Sequence, residues 1–304
     1  MSRGRQRGKS GASRRLLFLF LAVVAGVAGY WFCGRRAPEP VKAPPRAAAP
    51  PKAGAPSPRP PEPRPSGVPA DFEPAGGAAT GVLAVLLDDV GYEEAALSLL
   101  ASVDAPVALS VLPGTPRAAE AVALAKKKGW ELMVHLPMEP ETGKAEPGSI
   151  GASDDDATIR ARVLAALAAV PGAIGLNNHQ GSKATADPRV MRTVLAVVKE
   201  RGLFFLDSRT TPATAVERVA REMKVPFLAR DVFLDDAAAE AKDPAGPTGA
   251  LSASWDRALA IAARNGHAIL IAHPHRESVE FLVRALPELS RRGPRPVRIT
   301  ELLD

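Results

Sequence analysis

Four apolar runs in this 304-residue chain each stop at a carboxylate, imidazole or amide: LAVLLDD (Leu83 to Asp89), ELMVHLP (Glu131 to Pro137), AIGLNNHQGS (Ala173 to Ser182) and AILIAHPH (Ala268 to His275). Collected from separate strand ends, such side chains can hold a divalent ion and move protons beside it. One carboxylate and two neutral imidazoles, with positions left open for water, is an accepted ligand set for zinc and related ions. Asp88 and Asp89 close the first run. Adjacent side chains at a strand end point in different directions, so one acid can bind a metal while its neighbour faces a substrate; two ordinary acids capping a helix are the alternative. His135 is a ligand candidate or a hydrogen-bonded structural histidine. His179 lies in Asn177–Ser182, a polar, glycine-containing segment that buries poorly and binds well. Asp207 and His273 add two further polar strand ends, with a helix cap and a hydrogen bond to a ligand as their structural alternatives. Asn178, Asp207, Arg209 and Asp231 are the candidates for binding substrate or orienting the ligands. His267 precedes its run and His275 lies in a loop beyond His273, so both are left out of the set. No compact H-E-x-x-H helix is present, and no glycine-rich phosphate loop follows the first strand.

The elements that must carry these residues alternate. Strand candidates are Leu83–Leu87, Val107–Leu112, Glu131–His135, Ala173–Leu176, Leu203–Leu206, Pro226–Ala229, Ala268–Ala272 and Val297–Ile299. Between them lie Ala-rich amphipathic stretches: Glu93–Ser102, Pro116–Lys128, Asp156–Val170, Pro188–Arg201, Ala213–Met223, Leu251–Asn265 and Glu277–Ser290. Thr115 and the acids Asp154 to Asp156 suit helix starts. Apolar runs alternating with helices imply parallel strands covered by helices. Seven or eight such units fit a closed or nearly closed (β/α) barrel better than a flat doubly wound sheet, and a barrel gathers its site at the carboxyl ends of its strands. Met138–Asp155 and Asp231–Ala250 break the alternation and are expected to be long loops beside that mouth.

Charge and composition divide the chain. Residues 1–36 hold eight Lys or Arg and no acid, residues 37–80 carry a net +1, and the total of +6 leaves residues 81–304 at −3. A mildly acidic domain with 5% aromatics lacks the footprint of a nucleic-acid binder. The basic start precedes Leu16 to Cys33, 18 uncharged residues that would span about 27 Å as a helix. The flanking charge points to a single-pass signal-anchor in the inner membrane with the remainder on the periplasmic side; a cleaved signal peptide is the rival, disfavoured by the bulky Tyr30-Trp31-Phe32. Residues 37–80 contain 14 prolines and read as a disordered linker. The lone cysteine, Cys33, can form no internal disulfide. One domain, 81–304, remains.

LDDVGY (Leu87–Tyr92), HLPMEP (His135–Pro140), NNHQGSKAT (Asn177–Thr185), FFLDSRTT (Phe204–Thr211), ARDVFLDD (Ala229–Asp236) and AHPHRES (Ala272–Ser278) together resemble the divergent polysaccharide deacetylases, a bacterial envelope-associated branch of the metal-dependent carbohydrate deacetylases. The resemblance runs from about Leu83 to Leu302. It implies a divalent metal, commonly zinc, at the mouth of a distorted barrel, with Asp88 as general base and Asp89 as metal ligand. Where the wider group has H-x3-H, this chain has His135 followed by Glu139, so the third ligand is assigned to His179. His273 sits in a sequence similar to the motif that carries the wider group's general acid. The substrate implied is an N-acetylated envelope polysaccharide or peptidoglycan fragment.

Two other functions fit parts of the pattern. A catalytically silent glycan-binding or envelope scaffold module would keep the fold and lose the base or ligands; Asp88, Asp89, His135, His179 and His273 are all present. A metal-independent glycosidase using Asp88 and Asp207 would need a fixed carboxylate separation and would leave the histidines unexplained.

Overall fold

The computed structural model describes residues 81–92, 94–236 and 246–303. The segments assigned above to the membrane anchor and the linker lie outside them. Among the described residues no helix is long and apolar enough to cross a membrane.

The strands are β1 (Val82–Val90), β2 (Ala108–Val111), β3 (Glu131–Met138), β4 (Gly175–Gln180), β5 (Phe204–Asp207), β6 (Phe227–Ala229), β7 (Val232–Phe233), β8 (His267–Ala272) and β9 (Arg295–Val297). The helices are α1 (Glu94–Leu100), α2 (Ala118–Lys128), α3 (Asp156–Ala169), α4 (Pro188–Glu200), α5 (Val216–Met223), α6 (Gly246–Asn265) and α7 (Arg276–Arg292), followed by a 3-10 turn at Ile299–Leu302. All strand pairs are parallel, in the order β6-β5-β4-β3-β2-β1-β8-β7, with β9 beside the start of β1. β6 pairs with β5 and β7 with β8, and only Arg230 and Asp231 separate them. The Arg230 N–H still donates to Asp207 O, whereas the Asp231 N–H donates to Ile269 O. One extended run thus passes its hydrogen bonds from one end of the sheet to the other and curls it into the distorted (β/α) barrel expected.

Two expectations change. Asp231–Ala250 is not one loop, because Val232–Phe233 is the strand that joins the sheet ends, and α6 starts at Gly246. The Thr115 hydroxyl bonds Leu112 O instead of capping, and α2 begins after it, at Ala118. Asp155 does cap α3, accepting the Thr158 N–H at 2.7 Å.

Strand period sorts the apolar residues into two clusters. Leu83, Val85, Leu87, Leu132, Val134, Leu176, Phe205 and Leu270 face outward under the helices. Ala84, Leu86, Ala108, Met133, Phe204, Leu206, Ile269 and Ile271 fill the barrel interior. Gly175 has no side chain because the Phe204 ring occupies the space; a Cβ there would lie 2.7 Å from it. Gly175→Ala is expected to destabilise the domain by about 1–3 kcal/mol through overpacking. An unchanged denaturant midpoint would show that the interior yields freely.

Candidate metal centre and catalytic site

The inward parity, continued past the apolar layer to the strand ends, delivers the polar set. Asp88 follows Leu86 and Ala84, Ser110 follows Ala108, His135 follows Met133, Asn177 and His179 follow Gly175, Ser208 follows Leu206, and His273 follows Ile271. Asp88, Ser110, His135, Asn177 and Ser208 are buried.

Asp89 should by parity face outward, but it does not. The β1–β2 register shifts between Leu87 and Val90, and Asp89 takes a left-handed backbone, φ 54°. This bulge turns Asp89 to the same side as Asp88 at the strain cost of a non-glycine in that region, about 1–3 kcal/mol. Asp89 Oδ1 then lies 3.0 Å from His135 Nε2 and 2.8 Å from His179 Nδ1. The carboxylate oxygen is buried between the two rings, and His179 Nε2 is buried without a partner. One carboxylate and two imidazoles gathered this closely are a donor set that fits a metal cation. One ligand atom from each of Asp89, His135 and His179 lies within 4.8 Å of the others.

Asn177 organises the rest. Its Nδ2 donates to Asp88 Oδ1 at 2.8 Å and to Ser208 Oγ at 3.0 Å, so its Oδ1 faces the other way, where it accepts from Ser110 Oγ and His135 Nδ1 (3.0 Å). That bond places the His135 proton on Nδ1 and leaves the Nε2 lone pair for a metal. Burial pushes Asp88 above the usual carboxylate range, against the opposing pull of His135 and Asn177. Burial would also raise Asp89, but the two imidazoles facing it outweigh that and hold it far below the ordinary value.

Beside this cluster His273 Nδ1 lies 2.8 Å from Asp235 Oδ1. Asp235 Oδ2 accepts the His273 backbone N–H at 2.8 Å and Ser278 Oγ at 2.7 Å. Burial alone would lower His273, but Asp235, aided by the charges of Asp88 and Asp89, raises it to about 9. The ring is therefore an imidazolium at neutral pH.

The structure does not bring the remaining candidates to this cluster. Asn178 has the opposite parity to Asn177; its Oδ1 accepts Ser208 N and its Nδ2 bonds Gln180 O, which ties β4 to the loop after β5. Asp207, opposite in parity to Ser208, accepts the Arg209 N–H. Arg209, at φ 50°, reaches Arg230 O. Asp231 accepts the Ile269 N–H at 2.8 Å, well below the strand end. Glu139 is held by Lys183 Nζ (2.6 Å) and Ala152 N (2.7 Å) and pins the loop after β3 instead of joining the ligands. Asn177, Ser110, Ser208, Asp235 and Ser278 were not singled out from the sequence; counting strand parity back from the histidines would have found the first three.

Residues 85–303 match the family model described as divergent polysaccharide deacetylase. An uncharacterized protein of Haemophilus influenzae is 34% identical over 214 residues, covering 69% of this chain and 74% of that one. The chain belongs to the divergent polysaccharide deacetylases. A second relative, the uncharacterized protein YibQ of Escherichia coli K12, is 34% identical over 203 residues, 66% of this chain and 61% of that one, so the match leaves more than a third of YibQ unspanned. An uncharacterized protein from Agrobacterium tumefaciens C58 shares the fold, with a TM-score of 0.68 at 23% identity over 75% of this chain and 92% of that one. The family match over residues 85–303 makes this a deacetylase-type domain.

Proposed function

We propose that the domain is a divalent-metal-dependent hydrolase that removes N-acetyl groups from amino sugars of an envelope polysaccharide or peptidoglycan fragment. The observation that carries this reading is the convergence of Asp89, His135 and His179 beside the buried carboxylate of Asp88. Zinc suits these donors, and when bound it would polarise the acetamide carbonyl and make a water acidic. Asp88, held by Asn177, accepts a proton from the attacking water. His273, kept protonated by Asp235, delivers a proton to the departing amine. Acetate and a free amino sugar result.

We also assign residues 1–36 to a single inner-membrane anchor and residues 37–80 to a linker that would reach about 130 Å at polyproline spacing, enough to present the periplasmic domain to wall glycan. Tyr92 supports a glycan ligand: it is the exposed large apolar side chain of the described residues, and the nearby charges of Glu146 and Asp89, after burial, raise its phenol. A ring beside the mouth can stack on a sugar face. Tyr92→Ala is expected to raise KM about 10-fold and leave kcat within about 2-fold; an unchanged KM would remove Tyr92 from the binding surface.

The test of the function is zinc content and acetate release by the purified full chain on acetylated chitooligosaccharides and peptidoglycan fragments, with His179→Ala alongside. One tightly held ion per chain, lost in His179→Ala together with acetate release, is expected. Zinc held without acetate release on any substrate would favour the binding-module reading, and no metal affinity would sink the site.

A further inference from the structure

A second group of one carboxylate and two imidazoles stands beside the first. Asp235, His273 and His275 each offer a donor atom within 4.8 Å of the others. Asp235 is fixed by the His273 N–H and Ser278 Oγ on its Oδ2, which leaves Oδ1 directed at His273 Nδ1, 2.8 Å away. The His275 ring lies 5.9 Å from that of His273 at 38°. His275 occupies the N-cap position of α7 but its side chain makes no capping bond, and it is exposed. The His273 side chain is 25% exposed, which leaves a path for an ion.

We propose that Asp235, His273 and His275 form a second, weaker divalent-cation site whose occupation switches the enzyme off. The ion takes the place of the proton between Asp235 Oδ1 and His273 Nδ1, and that proton leaves to solvent. His273 becomes a neutral, metal-bound imidazole and no longer has an imidazolium proton to deliver. The site is the weaker of the two because its third ligand, His275, is exposed and unheld, whereas His135 in the first cluster is buried and oriented by Asn177. Ion binding stands on the cluster alone; the inhibition rests on the deacetylase reading.

Zinc binding by the tag-free full chain in equilibrium dialysis separates the two claims. Wild type should hold two ions in a tight and a weak class, His275→Ala only the tight one, and His179→Ala only the weak one. Acetate release should fall in excess zinc and recover when zinc is returned to one equivalent; His275→Ala should keep the basal rate, with an inhibition constant raised at least about 10-fold. A single class of ion in wild type, a second ion retained by His275→Ala, or equal inhibition of both proteins would overturn the proposal. Two ions bound with no acetate released under any condition would support the second site and count against the hydrolase reading alone.

Discussion

Asp88→Asn is expected to lower kcat/KM for acetate release about 10³-fold while zinc content stays at the wild-type level. The amide has the shape of the carboxylate and can turn its oxygen toward Asn177 Nδ2, keeping the 2.8 Å bond now made to Asp88 Oδ1 and giving up the 3.0 Å one to Oδ2. The hydrogen-bond frame through Asn177 to Ser110, Ser208 and His135 Nδ1 therefore survives, and with it the orientation of the ligand. What is lost is a basic oxygen in a buried position, where desolvation has already raised its proton affinity. Acetate release by single turnover and zinc by elemental analysis, on one preparation, read the two effects separately. Loss of zinc in parallel with activity would instead make Asp88 a ligand, in keeping with its Oδ2 lying 3.7 Å from His135 Nε2.

The barrel was legible because each strand is an apolar run closed by glycine, proline or a polar residue. The mouth was legible where the run ended in a histidine. Parity was the missing step: Asn178 and Asp207 read as the polar residues at their strand ends, while the neighbours of opposite parity, Asn177 and Ser208, carry the buried bonds. For Asp88 and Asp89 parity alone would have misled, since the bulge at Asp89 has no signature in LDDVGY that separates it from an ordinary turn. Asp235 was hidden for another reason. Its strand, Val232–Phe233, is two residues long and pairs with β8, distant in sequence, so neither periodicity nor length marks it. Its bond to His273, across 38 positions, exists only once the barrel closes.

That closure makes the second large effect predictable. His273 as general acid must be protonated, and with Asp235 beside it the ring holds its proton up to about 9. kcat/KM is therefore expected to be level through neutral pH on the side governed by this group and to fall as pH rises through about 9. In Asp235→Asn the hydrogen bond and the charge that do most to raise His273 are gone while burial, which lowers it, stays, so its pKa falls back toward the ordinary value against the remaining pull of Asp88 and Asp89. The basic limb should then move down by about two pH units, and kcat/KM at pH 8 should fall about 10-fold. The asparagine oxygen can still accept the His273 backbone N–H or Ser278 Oγ, so the β8 end keeps an anchor. Ser278→Ala is the companion variant: it removes one bond to Asp235 and leaves the charge, and its limb should remain close to the wild-type position. A loss in Asp235→Asn of equal size at every pH would mean that Asp235 only braces the loop, and His273 would then have to be dropped as the proton donor.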